Sequence, residues 1–235
     1  MVVEQSVQEA FDKAKNIVFL TGAGVSTLSG IPDYRSKTGV YQGLDYAPEY
    51  LLSDQAFDQI PEIQYDFMQK NLYFPEAKAN VVHKKMAAFA KSGRAKVITQ
   101  NIDDLDVQAG LNDDQLIRFH GSLYNLYTPK DGKKETLAEY QHSLYRDADG
   151  AKIRPAITFY GEMPFRVDEA IQWMRQSDLV CVVGTSFKVY PFAGLLEYAN
   201  PSVPVFSVNK VELDSLSGVE QIVTDAGDFF SELKN

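Results

Sequence analysis

The sequence contains a single cysteine, Cys181, so no disulfide bond can form within the chain. It has no run of about 18 apolar residues, the length needed to span a bilayer. Residues 1–15 lack the basic leader and apolar core of a signal peptide. The excess of basic residues that nucleic-acid binders carry is also missing, because the net charge is −9. These absences predict a cytoplasmic protein whose partners are neither nucleic acids nor membranes.

What is present is the composition of an ordinary globular protein, with 45% hydrophobic and 23% charged residues. A chain of 235 residues is long enough for one large domain, or for a core with a small insertion. The acidic surface that the net charge implies would attract basic protein substrates, such as lysine-rich peptides.

Short apolar runs separated by helical patterns predict the fold. The clearest buried strand is at 178–184, and Cys181 inside it is predicted to be an inert core thiol. Further strands are predicted at 17–20, 96–99, 116–119, 203–208 and 222–223, and helices at 3–15, 80–92, 167–176 and 190–199. Most of the strands end in small, polar or glycine-containing turns, and helices separate most of them. This alternation predicts an α/β fold with a doubly wound parallel, Rossmann-like sheet and ligand sites along one edge.

A glycine-rich turn follows the first predicted strand. At Gly22 and Gly24 the backbone can turn sharply and approach a ligand without a Cβ in the way. Ser26 and Thr27 then supply side-chain oxygens of the kind that cap the N-terminus of a helix. Free amides and the helix dipole at such a terminus form a seat for a phosphate. The stretch predicts a phosphate-binding turn, with a plain tight turn as the alternative.

A second polar run, Gln100-Asn101-Ile102-Asp103, lies just beyond the carboxyl end of the strand at 96–99. Ligands bind at that end in open parallel sheets. The alternative is that Asn101 and Asp103 merely cap the next short helix, which is a common role for these residue types.

The chain has three histidines. His83 lies among lysines on a predicted helix and is interpreted as a surface residue, while His142 lies in a polar stretch without partner spacing. His120 ends a predicted strand beside Gly121, on the same edge of the sheet as the two polar turns. We therefore predict that His120 is functional, with a buried structural histidine as the alternative.

Six ordered motifs resemble those of the sirtuin family and cover the chain from Val18 to about Leu233. They are GAGVSTLSGIPDYR, TQNID, HGS, RPAITFYGE, VVGTS and SVN. The resemblance implies NAD-dependent removal of an acyl group from lysine, giving nicotinamide, free lysine and O-acyl-ADP-ribose. Two alternatives are a protein ADP-ribosyltransferase and a non-catalytic module that binds NAD or acylated peptides.

The resemblance also implies roles for individual residues. His120 is implied as the general base, and Asn101 and Asp103 are implied as further catalytic residues. The RPAITFYGE segment is implied to pair with an acylated lysine peptide as an added strand. The residues implied to contact NAD are Gly22, Ala23, Gly24, Thr27, Tyr34, Arg35, Gln100, Asn101, Ile102, Asp103, His120, Gly184, Thr185, Ser186, Asn209 and Ala226.

The main departure from the family lies between the HGS and RPAITFYGE motifs. Many sirtuins carry here two C-x-x-C pairs that bind zinc, and alignment places Thr128, Asp131, Arg146 and Asp149 at those four positions. Structural zinc needs cysteine or histidine ligands. The sequence therefore predicts that no metal is bound. We expect Asp131 and Asp149 to be turn residues, since each precedes a glycine. Apolar packing is expected to hold this part together.

Two further departures bear on specificity. Asp106 stands where the family motif N-I-D-x-L-H has histidine, and no Tyr-x-x-Arg pair, which selects acidic acyl groups in some sirtuins, follows Gly39-Val40-Tyr41. Succinyl or malonyl specificity is therefore not expected. We expect a monomer with one catalytic domain in two lobes. A large NAD-binding lobe is expected at about 1–36, 80–122 and 155–235, and a small lobe at about 37–79 and 123–154.

Overall fold

The computed structural model describes residues 3–34, 40, 46–214, 216 and 219–235. The strands, in chain order, are β1 Ile17–Thr21, β2 Ala95–Thr99, β3 Leu116–Arg118, β4 Gly121–Thr128, β5 Lys133–Glu135, β6 Arg154–Ile157, β7 Leu179–Val183, β8 Val205–Asn209 and β9 Glu220–Val223. The α-helices are α1 Gln5–Lys13, α2 Pro48–Leu51, α3 Asp54–Gln59, α4 Pro61–Asn71, α5 Val81–Lys91, α6 Leu105–Gln108, α7 Leu137–His142, α8 Val167–Gln176 and α9 Ala226–Glu232. Within the described residues, no helix is long and apolar enough to cross a membrane.

Six parallel strands form the main sheet in the order β3-β2-β1-β7-β8-β9. In the central strand β1, Phe19 pairs with Val97 of β2 on one side and Cys181 of β7 on the other. Every residue of β1 and β7 is buried, as their uninterrupted apolar sequences require. The strand order reverses between β1 and β7, which is the position where open α/β sheets bind ligands at the carboxyl ends of their strands. The predicted fold class is confirmed.

Both faces of the sheet are covered by apolar helices. On one face α1, α5 and α9 bring together aromatic rings such as Phe11, Phe89 and Phe230. On the other face α8 contributes Trp173, and a 3₁₀ helix at Ala193–Tyr198 contributes Leu195, to a separate cluster. Two cores on opposite faces hold the six strand ends at one edge in a fixed arrangement.

A second, antiparallel sheet in the order β5-β4-β6 packs with α2, α3, α4 and α7. Its core is formed by apolar residues from both parts of the small lobe. Buried there are Leu51, Leu52, Phe57, Phe67, Leu72, Leu123, Leu126, Tyr140 and Leu144. Tyr65, Tyr124 and Leu137 pack against this core while partly exposed. The exact lobe boundaries stay a prediction.

The helix expected to open at Ser26 and Thr27 is not formed. The chain makes two single 3₁₀ turns instead, at Ala23–Val25 and Thr27–Ser29, and neither has a side-chain cap. Gly30 follows with φ of 84°, a left-handed conformation that ends the second turn. The capping role predicted for Ser26 and Thr27 is therefore wrong.

The surface position expected for His83 is also wrong. The side chain is fully buried in the first turn of α5, on the same helical face as Met86, three residues on. Its Nδ1 accepts a hydrogen bond from the Asn80 N–H at 3.3 Å, and the Asn80 side chain accepts one from the Val82 N–H at 2.9 Å. His83 thus completes a capping box, a role that its lysine neighbours in the sequence conceal.

The helix expected at 190–199 is the 3₁₀ helix Ala193–Tyr198. Pro191 and Gly194 lie at its start, and both are poor α-helix formers. The helix at 167–176 has the bounds that were expected.

Candidate active site

The carboxyl ends of β1, β2, β7 and β8 surround a cavity of about 600 Å³. Most of the predicted site residues line it: Gly22, Ala23, Gly24, Thr27, Tyr34, Gln100, Asn101, Ile102, His120, Gly184, Thr185, Ser186, Asn209 and Ala226. Asp103 lines a smaller adjoining cavity, which Asn101 and Ile102 also line. Arg35 lies outside the described residues. The structure brings the others together, and their individual roles stay predictions.

The glycines after β1 pack directly against the turn after β7. The Gly24 N–H donates to the Gly184 carbonyl at 2.7 Å. A Cβ on Gly24 would lie 2.7 Å from the Gly184 Cα, and one on Gly22 would lie 2.7 Å from the Thr185 Cβ. Gly184 itself has φ of 59°, which favours glycine. Glycine is required here because two turns touch, in addition to any approach by a ligand.

Three side chains link the end of β2 to the glycine turn. Asn101 Nδ2 donates to the Gly22 carbonyl and to Ser26 Oγ, each at 3.1 Å. Ser26 Oγ donates in turn to Asp103 Oδ2 at 2.6 Å. The other oxygen, Asp103 Oδ1, accepts from the Leu105 N–H at 2.9 Å. We call this the Asn101–Ser26–Asp103 chain.

Sequence reasoning missed Ser26 as a member of the site. Its position in the glycine turn was recognised, but a contact to a residue 77 positions later in the sequence leaves no local signal. The capping alternative holds in part for Asp103, which bonds the amide of Leu105 at the start of α6. Asn101 bonds the glycine turn instead.

A second set of hydrogen bonds joins the ends of β2, β7 and β8. Gln100 Nε2 donates to Thr185 Oγ1 at 2.9 Å, and the Thr185 N–H donates to Asn209 Oδ1 at 2.9 Å. Asn209 Nδ2 is buried and has no hydrogen-bond partner among the described residues. An orphaned donor on the wall of a cavity fits a site that a polar ligand completes.

His120 lies between β3 and β4 and lines the same cavity. Burial lowers the pKa of its imidazole to about 4, although a hydrogen bond with the Gln100 backbone raises it in part. The ring is therefore neutral at pH 7 and has a free lone pair for a proton.

The backbone around His120 packs against β6 and against Thr158, the residue that follows it. The Thr158 N–H donates to the His120 carbonyl at 2.9 Å. Gly121 has φ of 83°, and a Cβ there would lie 1.9 Å from the Ala156 carbonyl oxygen. This contact explains the glycine that follows His120.

A model of the Sir2 family matches residues 22–191, the stretch that contains His120 and most of the cavity wall. The chain belongs to the Sir2, or sirtuin, family. Solved structures of sirtuins have the same fold. One described as the structural basis for the mechanism and regulation of Sir2 enzymes has a TM-score of 0.85 at 27% identity, covering 97% of this chain and 94% of its own.

Relatives with similar sequences are named NAD-dependent protein deacetylases. A protein of Lactiplantibacillus plantarum called NAD-dependent protein deacetylase is 45% identical over 227 residues, which is 96% of each chain. One of Listeria monocytogenes with that name is 42% identical, covering 97% of this chain and 99% of its own. A solved complex of Sir2 with a p53 peptide and NAD⁺ has a TM-score of 0.83 at 30% identity, covering 97% and 95% of the two chains.

The segment that resembles the substrate-pairing strand of sirtuins begins in β6. Arg154 forms a two-pronged ion pair with Glu162 at 2.8 and 2.9 Å, and its guanidinium lies 3.9 Å from the centre of the Phe159 ring. Glu162 Oε2 also accepts from the Phe159 N–H at 2.9 Å. Tyr160 and Gly161, which these bonds bracket, line the cavity. The pairing with substrate stays a prediction.

Asp106, which stands where other sirtuins have histidine, is buried in α6. Its Oδ1 has no hydrogen-bond partner in the part of the chain that the structure describes. Burial, with the neighbouring charges of Asp103 and Asp104, raises the pKa of this carboxyl to about 8. Asp106 is therefore protonated at neutral pH. This avoids a third negative charge next to those of Asp103 and Asp104.

We expect Asp106→Asn to stabilise the protein above pH 8. The raised pKa means that the contribution of Asp106 to stability is present below its unfolded pKa, near 3.8, and is lost as pH rises through about 8. The variant is expected to unfold with a free energy higher by on the order of 1–3 kcal/mol at pH 9, and by less at pH 5. Denaturant unfolding at both pH values measures this. Asp147→Asn, at an exposed position, is the control. A variant no more stable than wild type at pH 9 would contradict the assignment.

The four positions aligned with the zinc cysteines of other sirtuins belong to one network centred on the guanidinium group of Arg146. Arg146 pairs with Asp131 and Asp149, each at 2.8 Å, and with Glu135 at 3.1 Å. Thr128 Oγ1 donates to Glu135 Oε1 at 2.8 Å. We call these five residues the Arg146 network. Glu135 was not identified from the sequence, because it matches none of the aligned cysteine positions.

The turns expected at Asp131 and Asp149 are present. The glycines that follow them, Gly132 and Gly150, have φ of 69° and 66°. Asp131 Oδ1 accepts from the Lys133 N–H at 3.1 Å, and Asp149 Oδ1 accepts from the Ala151 N–H at 3.2 Å. Each carboxylate therefore closes its own turn and also faces Arg146.

Proposed function

We propose that the protein is an NAD-dependent protein-lysine deacylase that gives nicotinamide, free lysine and O-acyl-ADP-ribose. The observation that carries the proposal is the placement of His120 and the Asn101–Ser26–Asp103 chain on two adjoining cavities at the switch point of the sheet. The relatives named NAD-dependent protein deacetylases and the Sir2 structures with peptide support it.

The cavity suits a dinucleotide for three reasons. Its volume of about 600 Å³ matches a small-molecule site. The bare backbone at Gly22 and Gly24 admits close approach, and the orphaned Asn209 Nδ2 offers a donor. NAD, when bound, supplies the ADP-ribosyl acceptor of the acyl group and nicotinamide as the leaving group.

The residues that would hold NAD fall into three groups along the sheet edge. We assign the first turn to the NAD site in general. The end of β2, together with His120, is assigned to the nicotinamide and its ribose. The ends of β7 and β8, with the start of α9, are assigned to the phosphates and adenosine. In that order the groups are Gly22, Ala23, Gly24, Thr27, Tyr34 and Arg35; Gln100, Asn101, Ile102, Asp103 and His120; and Gly184, Thr185, Ser186, Asn209 and Ala226.

His120 is the general base of this proposal. Its neutral imidazole accepts a proton from a ribose hydroxyl, and burial keeps it neutral at every pH above about 5. Asp103 is better suited to anchoring. Both of its oxygens already accept hydrogen bonds, from Ser26 and Leu105, so the carboxylate is held in one orientation.

One incubation separates the proposed function from its alternatives. The protein is mixed with NAD and an acetyl-lysine peptide, and the products are followed by mass spectrometry. A deacylase gives deacetylated peptide and O-acetyl-ADP-ribose. A peptide or protein heavier by one ADP-ribosyl group would replace the proposal with a transferase, and unchanged NAD and peptide would replace it with a binding module.

We expect Ser26→Ala to weaken inhibition by nicotinamide as much as Asn101→Ala does. Ser26 is the link between Asn101 and Asp103, so its loss removes one of the two hydrogen bonds of the Asn101 amide and leaves Asp103 Oδ2 without the Ser26 donor. Loss of a buried hydrogen bond of about 1–3 kcal/mol predicts an inhibition constant higher by roughly tenfold or more. Nicotinamide inhibition and exchange of labelled nicotinamide measure it. Ser29→Ala, in the same turn, is the control. An unchanged inhibition constant in Ser26→Ala would reduce the chain to a structural role.

We propose that the substrate is a protein or peptide carrying an acylated lysine, and that the acyl group is uncharged. The Tyr-x-x-Arg pair that selects acidic acyl groups is missing from the sequence after Gly39-Val40-Tyr41. Gly39 and Tyr41 lie outside the described residues.

We also propose that a single chain is the working unit, with the two lobes given above and without zinc. Described residues from four strand ends of a single chain line the cavity, which supports a monomer. The Arg146 network, with a cation between three carboxylates, supports a small lobe without metal. Light scattering at working concentrations tests the monomer.

A further inference from the structure

Two aromatic rings lie beside the imidazole of His120. Phe119 precedes it in the chain, with ring centroids 5.6 Å apart, and Phe192 lies 6.5 Å away, tilted by 54°. Phe192 meets Phe119 edge-on at 5.5 Å and Phe187 edge-on at 6.0 Å. All three phenylalanines are buried. We call Phe119, Phe187 and Phe192 the aromatic wall.

Phe192 connects the aromatic wall to the hydrophobic core on the α8 face of the sheet. It is fully buried in the core cluster of the α8 face. It directly precedes the 3₁₀ helix Ala193–Tyr198 and follows a loop, residues 184–191, most of which lines the cavity. Phe119 by contrast is fixed by its place after β3 in the chain. A side chain 72 positions away in sequence therefore lies beside the His120 ring.

We propose that Phe192 is a positioning residue for His120. Its ring closes the core side of the imidazole to water and fixes the plane in which the imidazole faces the cavity. The inference rests on the proposed function in that His120 serves as the base. It adds that the base is held by packing on an aromatic ring rather than by a carboxylate partner.

The electrostatics of His120 agree with this arrangement. The pKa of the imidazole is lowered by burial, and the Gln100 backbone is what opposes the shift. Among the described residues, no charged side chain contributes to it. A wall of apolar rings explains a shift of this direction, since a low-dielectric surrounding disfavours the imidazolium. Opening the wall to water should therefore return the imidazole towards its ordinary titration range.

The test compares Phe192→Ala with Phe89→Ala. Phe89 is equally buried but lies on the opposite face of the sheet, so its replacement measures the general cost of losing a core ring. Histidine side chains are labelled with ¹³C and followed by NMR from pH 8 to pH 5. The chain has three histidines, and a His120→Gln spectrum assigns the resonance of interest. The same variants are assayed for kcat and for the KM of NAD.

In wild type and in Phe89→Ala we expect the His120 resonance to show no titration down to pH 5. In Phe192→Ala we expect its pKa to rise by about one unit or more, and kcat to fall by about 10- to 100-fold with an unchanged KM for NAD. His83, buried in α5, is the internal reference and is expected to stay neutral in every variant.

If Phe192→Ala does not fold, Phe192→Leu carries the same test, with a shift in the same direction. A lower kcat with His120 still neutral at pH 5 would overturn the proposal, because it would make Phe192 an ordinary core residue. The NMR measurement needs no turnover. A chain that fails to deacylate but shows the His120 shift would therefore defeat the proposed function while leaving the contact with Phe192 established.

Discussion

Replacing His120 with alanine is expected to lower kcat on an acetylated peptide by 10²–10⁴-fold, the usual contribution of a general base. The imidazole lines the cavity and is neutral at pH 7, because burial lowers its pKa to about 4. None of the hydrogen bonds that hold Gly24, Ser26 or Thr185 in place passes through its side chain. NAD should therefore still bind with nearly unchanged affinity, and the variant should keep its fold.

Steady-state kinetics and calorimetric NAD titration of His120→Ala measure the two parts of this expectation. His142→Ala is the matched control, since His142 is exposed at the end of α7. If His120→Ala kept more than about a tenth of wild-type turnover, a typical base contribution would be missing and the assignment would be wrong. Loss of NAD binding in the variant would instead show that His120 acts mainly in holding NAD.

The parallel sheet could be predicted because each of its central strands has a recognisable local sequence pattern. β1 and β7 are apolar at nearly every position, which is typical of strands buried on both faces. Each is followed by a turn containing glycine. Alternation with helices then leaves few arrangements other than a doubly wound sheet.

The assembly of the site could be predicted only in part. The turns at the strand ends were identified by their polar residues, and parallel strands bring such turns to one edge. Ser26, Phe192 and Glu135 were missed because each acts through a partner that is distant in sequence or outside the recognised motifs. His83 was misplaced because neighbouring lysines suggest exposure, whereas helical spacing to Met86 turns it inward.

The helix expected after the glycine turn shows where local propensity fails. Ser26 has a side chain suited to capping, but its hydroxyl is engaged by Asp103 at 2.6 Å. Gly30 then ends the 3₁₀ turn at Thr27–Ser29 with a left-handed backbone. Ser26 therefore forms a tertiary hydrogen bond at the site instead of capping a helix.

Replacing Arg146 with methionine is expected to lower the thermal midpoint of unfolding at neutral pH, and chelators are expected to leave the wild type unchanged. Methionine keeps much of the apolar stem but removes the charge that pairs with Asp131, Glu135 and Asp149. The Glu135 side chain is 3% exposed and the Arg146 side chain 11%, so water cannot fully replace the lost partner of Glu135. Like charges would then face one another in the small lobe.

The pH dependence gives the sign of the effect. Arg146 holds the pKa of Asp131 and Asp149 below the usual value of 3.8. Their stabilising contribution is therefore present above pH about 4 and is lost as the carboxylates become protonated at lower pH. The difference in midpoint between wild type and Arg146→Met should be largest near pH 7 and should shrink towards pH 3. High salt should also reduce it, because the aspartates are partly exposed.

Lys130→Met is the matched control. Lys130 also pairs with Asp149 at 2.8 Å, but its side chain is 63% exposed, so we expect its loss to change the midpoint little. In a zinc-dependent module, chelation removes metal-binding energy that is part of the folding energy. Here EDTA should change neither the midpoint nor the activity, and elemental analysis should find no bound zinc. Zinc that is lost together with activity on chelation would contradict the metal-free assignment. An Arg146→Met variant as stable as Lys130→Met would show that the guanidinium does not hold the small lobe together.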